Sequence, residues 1–372
     1  MIKTLLNSPD LNLSGGVASF CAMLKGCFQL DVDFFTTGPR LGESNSAIAM
    51  LIRMFKDYLH FFSKLSLTDY DIVHLNPSLN INALARDAGF LLIAKWQGKK
   101  CVVFFHGWNP KFAYKIQRQI IWRLLFCKIF FLADAFIVLC KDYKQKLHSM
   151  GYTGPVYCCK TAVDNLMMAL SKPWHRKVRS KEEPFNILFL SRIEKEKGIF
   201  EALESYRLLK SVHPNAVFLI AGEGSQNRTV KKYIENKKIE DVRLLGFVKG
   251  EKKAAVFKQA HCFLLPSYHE GMPISVLEAM LFGLPVITRA VGGLNDFFIH
   301  NKMGFITLSR SPDIFFKFLT RLIDDPLFCQ KTGRFNNRYV NANFKVVSAT
   351  KDIESVYMRT YGRTKPSRYI TV

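Results

Sequence analysis

The stretch EGMPISVLEAMLFGLPVITRAVGG, residues 270–293, carries a single charge between Gly271 and Thr288, and that charge is Glu278. A run this apolar predicts a buried helix followed by a buried strand. Pro273 suits the helix start, and Gly283 with Pro285 closes it. Glu270 then stands in the preceding loop, and Glu278 lies about one turn inside the helix. A buried carboxylate is destabilising unless a partner completes its bonding. One partner would be a ribose, whose two hydroxyls could each give a charge-assisted hydrogen bond of roughly 1.5–3 kcal/mol. The other would be a neighbouring lysine or arginine. The pairing of the two glutamates in loop and helix favours the ligand.

Outward from that stretch, short apolar runs alternate with amphipathic ones, which predicts parallel α/β units. Strand candidates in the first half are IKTLLNS (2–8), DVDFFTT (31–37), DIVHL (71–75), CVVFFH (101–106), AFIVL (135–139) and VYCCK (156–160). The second half repeats the rhythm with FNILFLS (185–191), AVFLIAG (216–222), VRLLGF (242–247), HCFLLP (261–266), PVITRA (285–290) and GFITL (304–308). Helices are expected at 46–65 and 111–131, among others. The charged, proline-bracketed segment 170–184 reads as a linker between domains 1–169 and 185–345, with 346–372 a helix and tail crossing back to the first domain. At 372 residues the chain has room for two cores. Two doubly wound domains would face each other across a cleft lined by the carboxyl ends of both sheets, where ligands of such sheets bind.

Those strand ends carry the candidate chemistry. After the first strand, NSPDLNLSGGVASF (7–20) places Gly15 and Gly16 at a helix entrance, where backbone N–H groups can meet an anion. The full GxGxxG pattern of a dinucleotide site is missing. His106 follows CVVFF and could bond a sugar hydroxyl or polarise a leaving group. SRIEKEKGI (191–199) offers Arg192, Lys195 and Lys197 as a diphosphate clamp. AGEGS (221–225), with Glu223, suits a closely approaching nucleoside.

In this order the pieces resemble the signature of family 4 retaining glycosyltransferases, enzymes of the GT-B fold that use nucleotide-sugar donors. They are SGG at 14–16, HG at 106–107, SRIEKEKG at 191–198, GEG at 222–224, GF at 246–247, PSYHEGMPISVLEAMLFGLPVI at 266–287 and GG at 292–293. The resemblance implies that Glu278 holds the donor ribose and that Arg192 and Lys197 bind the diphosphate. Glu270 and the backbone of Gly271, Met272, Pro273 and Ile274 would meet the donor sugar, His106 would stand opposite, and Gly16 would lie beside the phosphates. Glu270 and His106 are the catalytic candidates, Glu270 as a donor-sugar stabiliser, and no protein nucleophile is assigned. Ser191 replaces the usual glycine, Thr161-Ala162 an asparagine-glycine pair, and Asn295-Asp296 a Pro-Glu pair, so loop details differ from the family pattern. The implied reaction moves a hexosyl residue from a UDP- or GDP-sugar to a glycan or lipid-linked acceptor in cell-surface polysaccharide synthesis. It needs no metal or other cofactor, because fixed cations and helix N-termini can stabilise the departing nucleotide. Asp31-Val32-Asp33 spells the metal-binding DxD of a competing architecture, but it opens the second strand, away from every donor motif.

Charge and cysteines bound the setting. The net charge of +23 is spread along the chain, with 24 basic and 13 acidic residues up to residue 183 and 29 and 17 after it. It draws the protein towards polyanions without choosing among them. From 88 to 133 there is no Asp or Glu but eight Lys or Arg. On a helix at 111–131, Lys111, Lys115 and Arg118 share a face beside Phe112, Tyr114, Trp122 and Phe126. With Arg53, Lys56 and Lys64 in 51–65 they suggest contact with an anionic membrane surface. Nine cysteines without a CxxC pair fit a reduced cytoplasm, no secretory leader is apparent, and no spanning helix is expected. A nucleic-acid-binding protein would explain the charge but not Glu278, and no such module is visible. A GT-B epimerase or phosphorylase would keep the fold and change the reaction.

Overall fold

Central strands rich in Val, Ile, Leu and Phe bury both faces, as parallel sheets require, and with more exposed edge strands they build two six-stranded sheets. The computed structural model describes residues 2–13, 15–43, 46–172, 180 and 183–362. Ser14, most of the expected linker and residues 363–372 lie outside the described residues. Contacts divide the chain into Met1–Ala162 with Val346–Val372, and Val163–Lys345.

In the first unit the strands are β1 (Lys3–Ser8), β2 (Asp31–Thr36), β3 (Ile72–Leu75), β4 (Ser78–Leu79), β5 (Lys100–Phe105), β6 (Gly107–Trp108), β7 (Ala135–Val138) and β8 (Val156–Cys158). The main sheet runs β2-β1-β3-β5-β7-β8, all parallel, and β4 pairs with β6 apart from it. That short pair has no apolar run of its own, and the sequence does not suggest it. The helix Val346–Tyr361 belongs to this unit. Its Glu354 carboxylate accepts the backbone N–H groups of Gln29 and Leu30 at 2.5 and 2.8 Å, and its Tyr357 hydroxyl meets Nδ1 of His74 on β3. Burial pushes the His74 pKa down to about 3, so the imidazole is neutral there. Asp31 and Asp33 of the DxD-like run engage Lys3 and the Tyr70 hydroxyl, respectively.

In the second unit β9 (Phe185–Leu190), β10 (Ala216–Ala221), β11 (Val242–Gly246), β12 (Cys262–Leu265), β13 (Val286–Arg289) and β14 (Gly304–Thr307) lie in the order β11-β10-β9-β12-β13-β14, also all parallel. This is the doubly wound order 3-2-1-4-5-6. The division between units falls at Ala162 and not at 169. The Val163 N–H bonds Phe344 O at 2.9 Å, and the helix Asn165–Leu170 packs on Gly250–Gln259.

Two expectations about helices are corrected. The segment 111–131 is two helices, Pro110–Arg118 and Ile120–Phe130, because Gln119 is extended at φ −104° and ψ 117°. Phe126 is buried, and Phe112 and Trp122 pack edge to face, so these rings belong to the interior side. In Ala47–Leu67, Arg53 is buried and paired with Glu43 at 2.6 Å, which removes it from any outward basic face. No helix among the described residues is long and apolar enough to cross a membrane.

Replacing Glu354 by Ala leaves the N–H groups of Gln29 and Leu30 without their acceptor. The variant is expected to lose about 1–3 kcal/mol of stability. Denaturant midpoints for the two proteins check this, and equal midpoints would contradict it.

Candidate functional site

In a sheet ordered 3-2-1-4-5-6, neighbouring strands at the reversal send their following helices to opposite faces, and a crevice opens between their carboxyl ends. In the second unit those strands are β9 and β12. The loop after β9 carries Arg192 and Lys197, and the loop after β12 carries Glu270.

The two loops are tied together. The Tyr268 N–H donates to Glu196 O at 2.8 Å, and the Ser267 hydroxyl to the same oxygen at 3.2 Å. Gly198 adopts φ +75°, and a Cβ there would come within 2.2 Å of Pro266 O, so only glycine lets the loops close. Across this seam Lys197 Nζ donates to Glu270 Oε1 at 2.7 Å, with both side chains largely enclosed. The clamp lysine and the donor-sugar glutamate named from the sequence are thus direct partners. Arg192 remains exposed beside them.

Behind Glu270 the chain is held by the glycine pair. The Gly293 N–H donates to Gly271 O at 2.6 Å, and a Cβ at Gly292 (φ +53°) would fall 1.7 Å from Glu270 O. Met272 and Pro273 are buried, and Ile274 opens the helix Ile274–Leu281. The first N–H groups of that helix have no intrahelical acceptor, which makes its start a place for anions or hydroxyls. The glycines of GEG are also required by the packing of the chain itself. A Cβ at Gly222 or Gly224 would meet Ser191 O at 1.9 Å or Ile193 O at 2.4 Å, so one closely approaching group is the chain itself. Glu223 between them is exposed.

Glu278 is 2% exposed in the middle of its helix. The partner it has in this structure is Lys253, on Gly250–Gln259, a residue that the sequence gave no reason to single out. Lys253 Nζ lies 2.6 Å from each carboxylate oxygen and donates its hydrogen bond to Oε1. Oε2 is enclosed and accepts no hydrogen bond among the described residues. The ion-pair alternative to a ribose is therefore realised, yet one oxygen keeps open lone pairs. Burial raises the Glu278 pKa, Lys253 opposes that rise, and Asp164 at the start of Asn165–Leu170 adds to it.

In the first unit the reversal lies between β1 and β3. There Asn76, just past β3, donates its amide N–H to Asn7 O at 2.7 Å, which turns its Oδ1 towards His106 Nε2, also at 2.7 Å. The network assigns the His106 proton to Nε2 and leaves Nδ1 as an acceptor. The His106 ring lies against Phe104 and Phe20, and burial with His74 nearby pushes its pKa down to about 3. Of its two expected uses, bonding a hydroxyl fits the acceptor Nδ1, whereas polarising a leaving group needs a donor and the Nε2–H is given to Asn76. Gly15 and Gly16 open the helix Gly16–Leu24, and a Cβ at either would meet nothing within 4 Å. Asn76, like Lys253, escaped the sequence because its role depends on which strands are neighbours.

Residues 171–339 match the family model described as Glycosyl transferases group 1. The chain is 25% identical over 206 residues to a glycogen synthase of Mycobacterium tuberculosis, a match covering 55% of this chain and 50% of that protein. The chain thus spans about half the length of that curated relative. It is also 25% identical over 317 residues to the UDP-Gal:alpha-D-GlcNAc-diphosphoundecaprenol alpha-1,3-galactosyltransferase of Escherichia coli, covering 83% of this chain and 80% of that one. Sucrose-phosphate synthase from Thermosynechococcus elongatus superposes with a TM-score of 0.74 at 18% identity, covering 97% of this chain and 99% of that one. The fold is GT-B.

Lys253→Met is expected to lower stability at neutral pH by about 3 kcal/mol or more, because it strands a buried charge. Glu278 has a raised folded pKa, so its favourable contribution is complete below its unfolded value, about 4.3, and is lost as pH rises through the folded value. Removing Lys253 raises that pKa further. The gap in Tm between wild type and variant should therefore widen from mildly acidic to neutral pH, and a gap constant with pH would contradict the ion pair.

Proposed function

We propose that this chain, whose residues 171–339 match the model for glycosyl transferases group 1, is a retaining, metal-independent glycosyltransferase of the family 4 type. It transfers a hexosyl residue from a UDP- or GDP-sugar to a glycan or lipid-linked acceptor in cell-surface polysaccharide synthesis, and it works at the cytoplasmic side of the membrane. The observation that carries this is the junction of the β9 and β12 exits, where Lys197 meets Glu270 at 2.7 Å. The named activity of the galactosyltransferase relative, with its UDP-Gal donor and alpha-D-GlcNAc-diphosphoundecaprenol acceptor, supports the donor and acceptor classes.

Cleaving a glycosyl phosphate leaves negative charge on the departing nucleotide. Arg192, Lys197 and the start of Ile274–Leu281 provide positive potential for it. Glu270, anchored by Lys197, faces the donor sugar, whose carbon gains positive charge. Glu278 takes the ribose through the lone pairs that Lys253 leaves open. In the first unit, His106 can accept a hydroxyl at Nδ1, and Gly15–Gly16 offer backbone N–H groups to an anion.

Product analysis with the full chain, UDP- and GDP-hexoses and a lipid-linked glycan tests this. Transfer to the acceptor is expected, whereas turnover of the donor alone or dependence on free phosphate would replace the reading. Glu278→Gln should raise the donor KM about tenfold or more, the equivalent of one lost charge-assisted hydrogen bond, and unchanged donor kinetics would remove the ribose role. Activity should persist in EDTA, and loss that added Mg²⁺ or Mn²⁺ restores would overturn metal independence alone.

A further inference from the structure

The helix Ala47–Leu67 is turned inside out. At 100° per residue, Ile48, Leu51, Ile52, Phe55, Leu59 and Phe62 fall within about 100° of arc, and all six face solvent, Ile48 at 72% and Phe55 at 63% exposure. The opposite face buries Arg53 and Asp57 along with Phe61 and Leu65. The buried charges are accommodated individually. Arg53 pairs with Glu43, while Asp57 accepts from Arg40 and from the Gly38 N–H. An outward stripe of this length on a soluble surface calls for an occupant.

The apolar surface extends across neighbouring helices of the same unit. Ile81–Trp96 packs against Ala47–Leu67 on one side and Ile120–Phe130 on the other. Trp96 is 78% exposed and stacks on Phe62 at 5.6 Å. On Ile120–Phe130 the exposed apolar residues are Ile120, Ile121, Leu124 and Leu125. Cations accompany them: Lys56 on the first helix, Arg123 and Lys128 on the last, and Lys111, Lys115 and Arg118 on the adjoining Pro110–Arg118, all exposed. No acidic residue occurs anywhere from 88 to 133.

We propose that this face docks on an anionic lipid bilayer, with the stripe of Ala47–Leu67, Trp96 and the outer side of Ile120–Phe130 entering the interface. The surrounding lysines and arginines then meet lipid phosphates. Large apolar side chains rimmed by cations are the chemistry of an interfacial helix. A second copy of this chain would set the same cations against one another, which disfavours a symmetric dimer through this face. The contact that the sequence suggests through cations and aromatic rings becomes an insertion led by the aliphatic and aromatic stripe of Ala47–Leu67, with Trp96 added. The inference stands apart from the proposed reaction.

The test is flotation of the full chain with phosphatidylcholine vesicles, with and without phosphatidylglycerol. Wild type should bind the anionic vesicles, with a blue shift of tryptophan emission that Trp96→Phe abolishes. Phe55→Ser/Leu59→Ser should weaken partitioning roughly tenfold or more with an unchanged Tm, since both positions are exposed. Lys115→Glu/Arg118→Glu should weaken binding most at low salt. Absence of binding to anionic vesicles at low salt, or equal binding by wild type and the serine variant, would overturn the proposal. Concentration-dependent dimerisation that the serine variant abolishes, without vesicle binding, would assign the face to a second copy.

Discussion

Lys197 joins Glu270 across the place where strand order reverses in the second sheet, and the local architecture is organised around that seam. Parallel strands on either side of a reversal send their chains apart, so nothing in the sheet itself brings their exit loops into register. Here the closure is made by a backbone bond from Tyr268 to Glu196, a glycine lying against Pro266, and the ion pair. The glycines at 292 and 293 hold the other side of Glu270. A carboxylate so placed has one oxygen committed to a lysine and a fixed backbone on both sides, which is the preorganisation that electrostatic catalysis requires.

Glu278 shows the same economy at a deeper level. A carboxylate within an apolar helix is tolerated because Lys253 reaches it, and Lys253 satisfies only part of its bonding capacity. An ion pair and a ligand therefore need not be rivals for one carboxylate, which has about four lone-pair sites. The first unit uses uncharged groups for a comparable purpose. Asn7, Asn76 and His106 form a chain of hydrogen bonds next to its own reversal, and the end of that chain is a neutral ring with a single acceptor nitrogen.

Much of this was legible in the sequence. Each main-sheet strand lies within a residue or two of its apolar run, because buried parallel strands must be nearly continuous in Val, Ile, Leu and Phe. Glu270, Lys197 and His106 were visible because strand ends are punctuated by glycine and charge. Strand order was not legible, since it depends on which apolar runs become neighbours, and the partners Lys253 and Asn76 went unseen with it. The break at Gln119 was hidden because no proline or glycine marks it. Arg53 misled because a helix can bury a charged face when each charge finds a partner, as Glu43 provides.

The second unit is proposed as a nucleotide-sugar site built around Glu270 and Glu278. Thermal stabilisation of the full chain by a panel of UDP-, GDP- and ADP-sugars measures that most directly. A nucleotide-sugar at saturating concentration should raise the Tm, and the matching free hexose should not. A panel in which no nucleotide-sugar moves the Tm would contradict it.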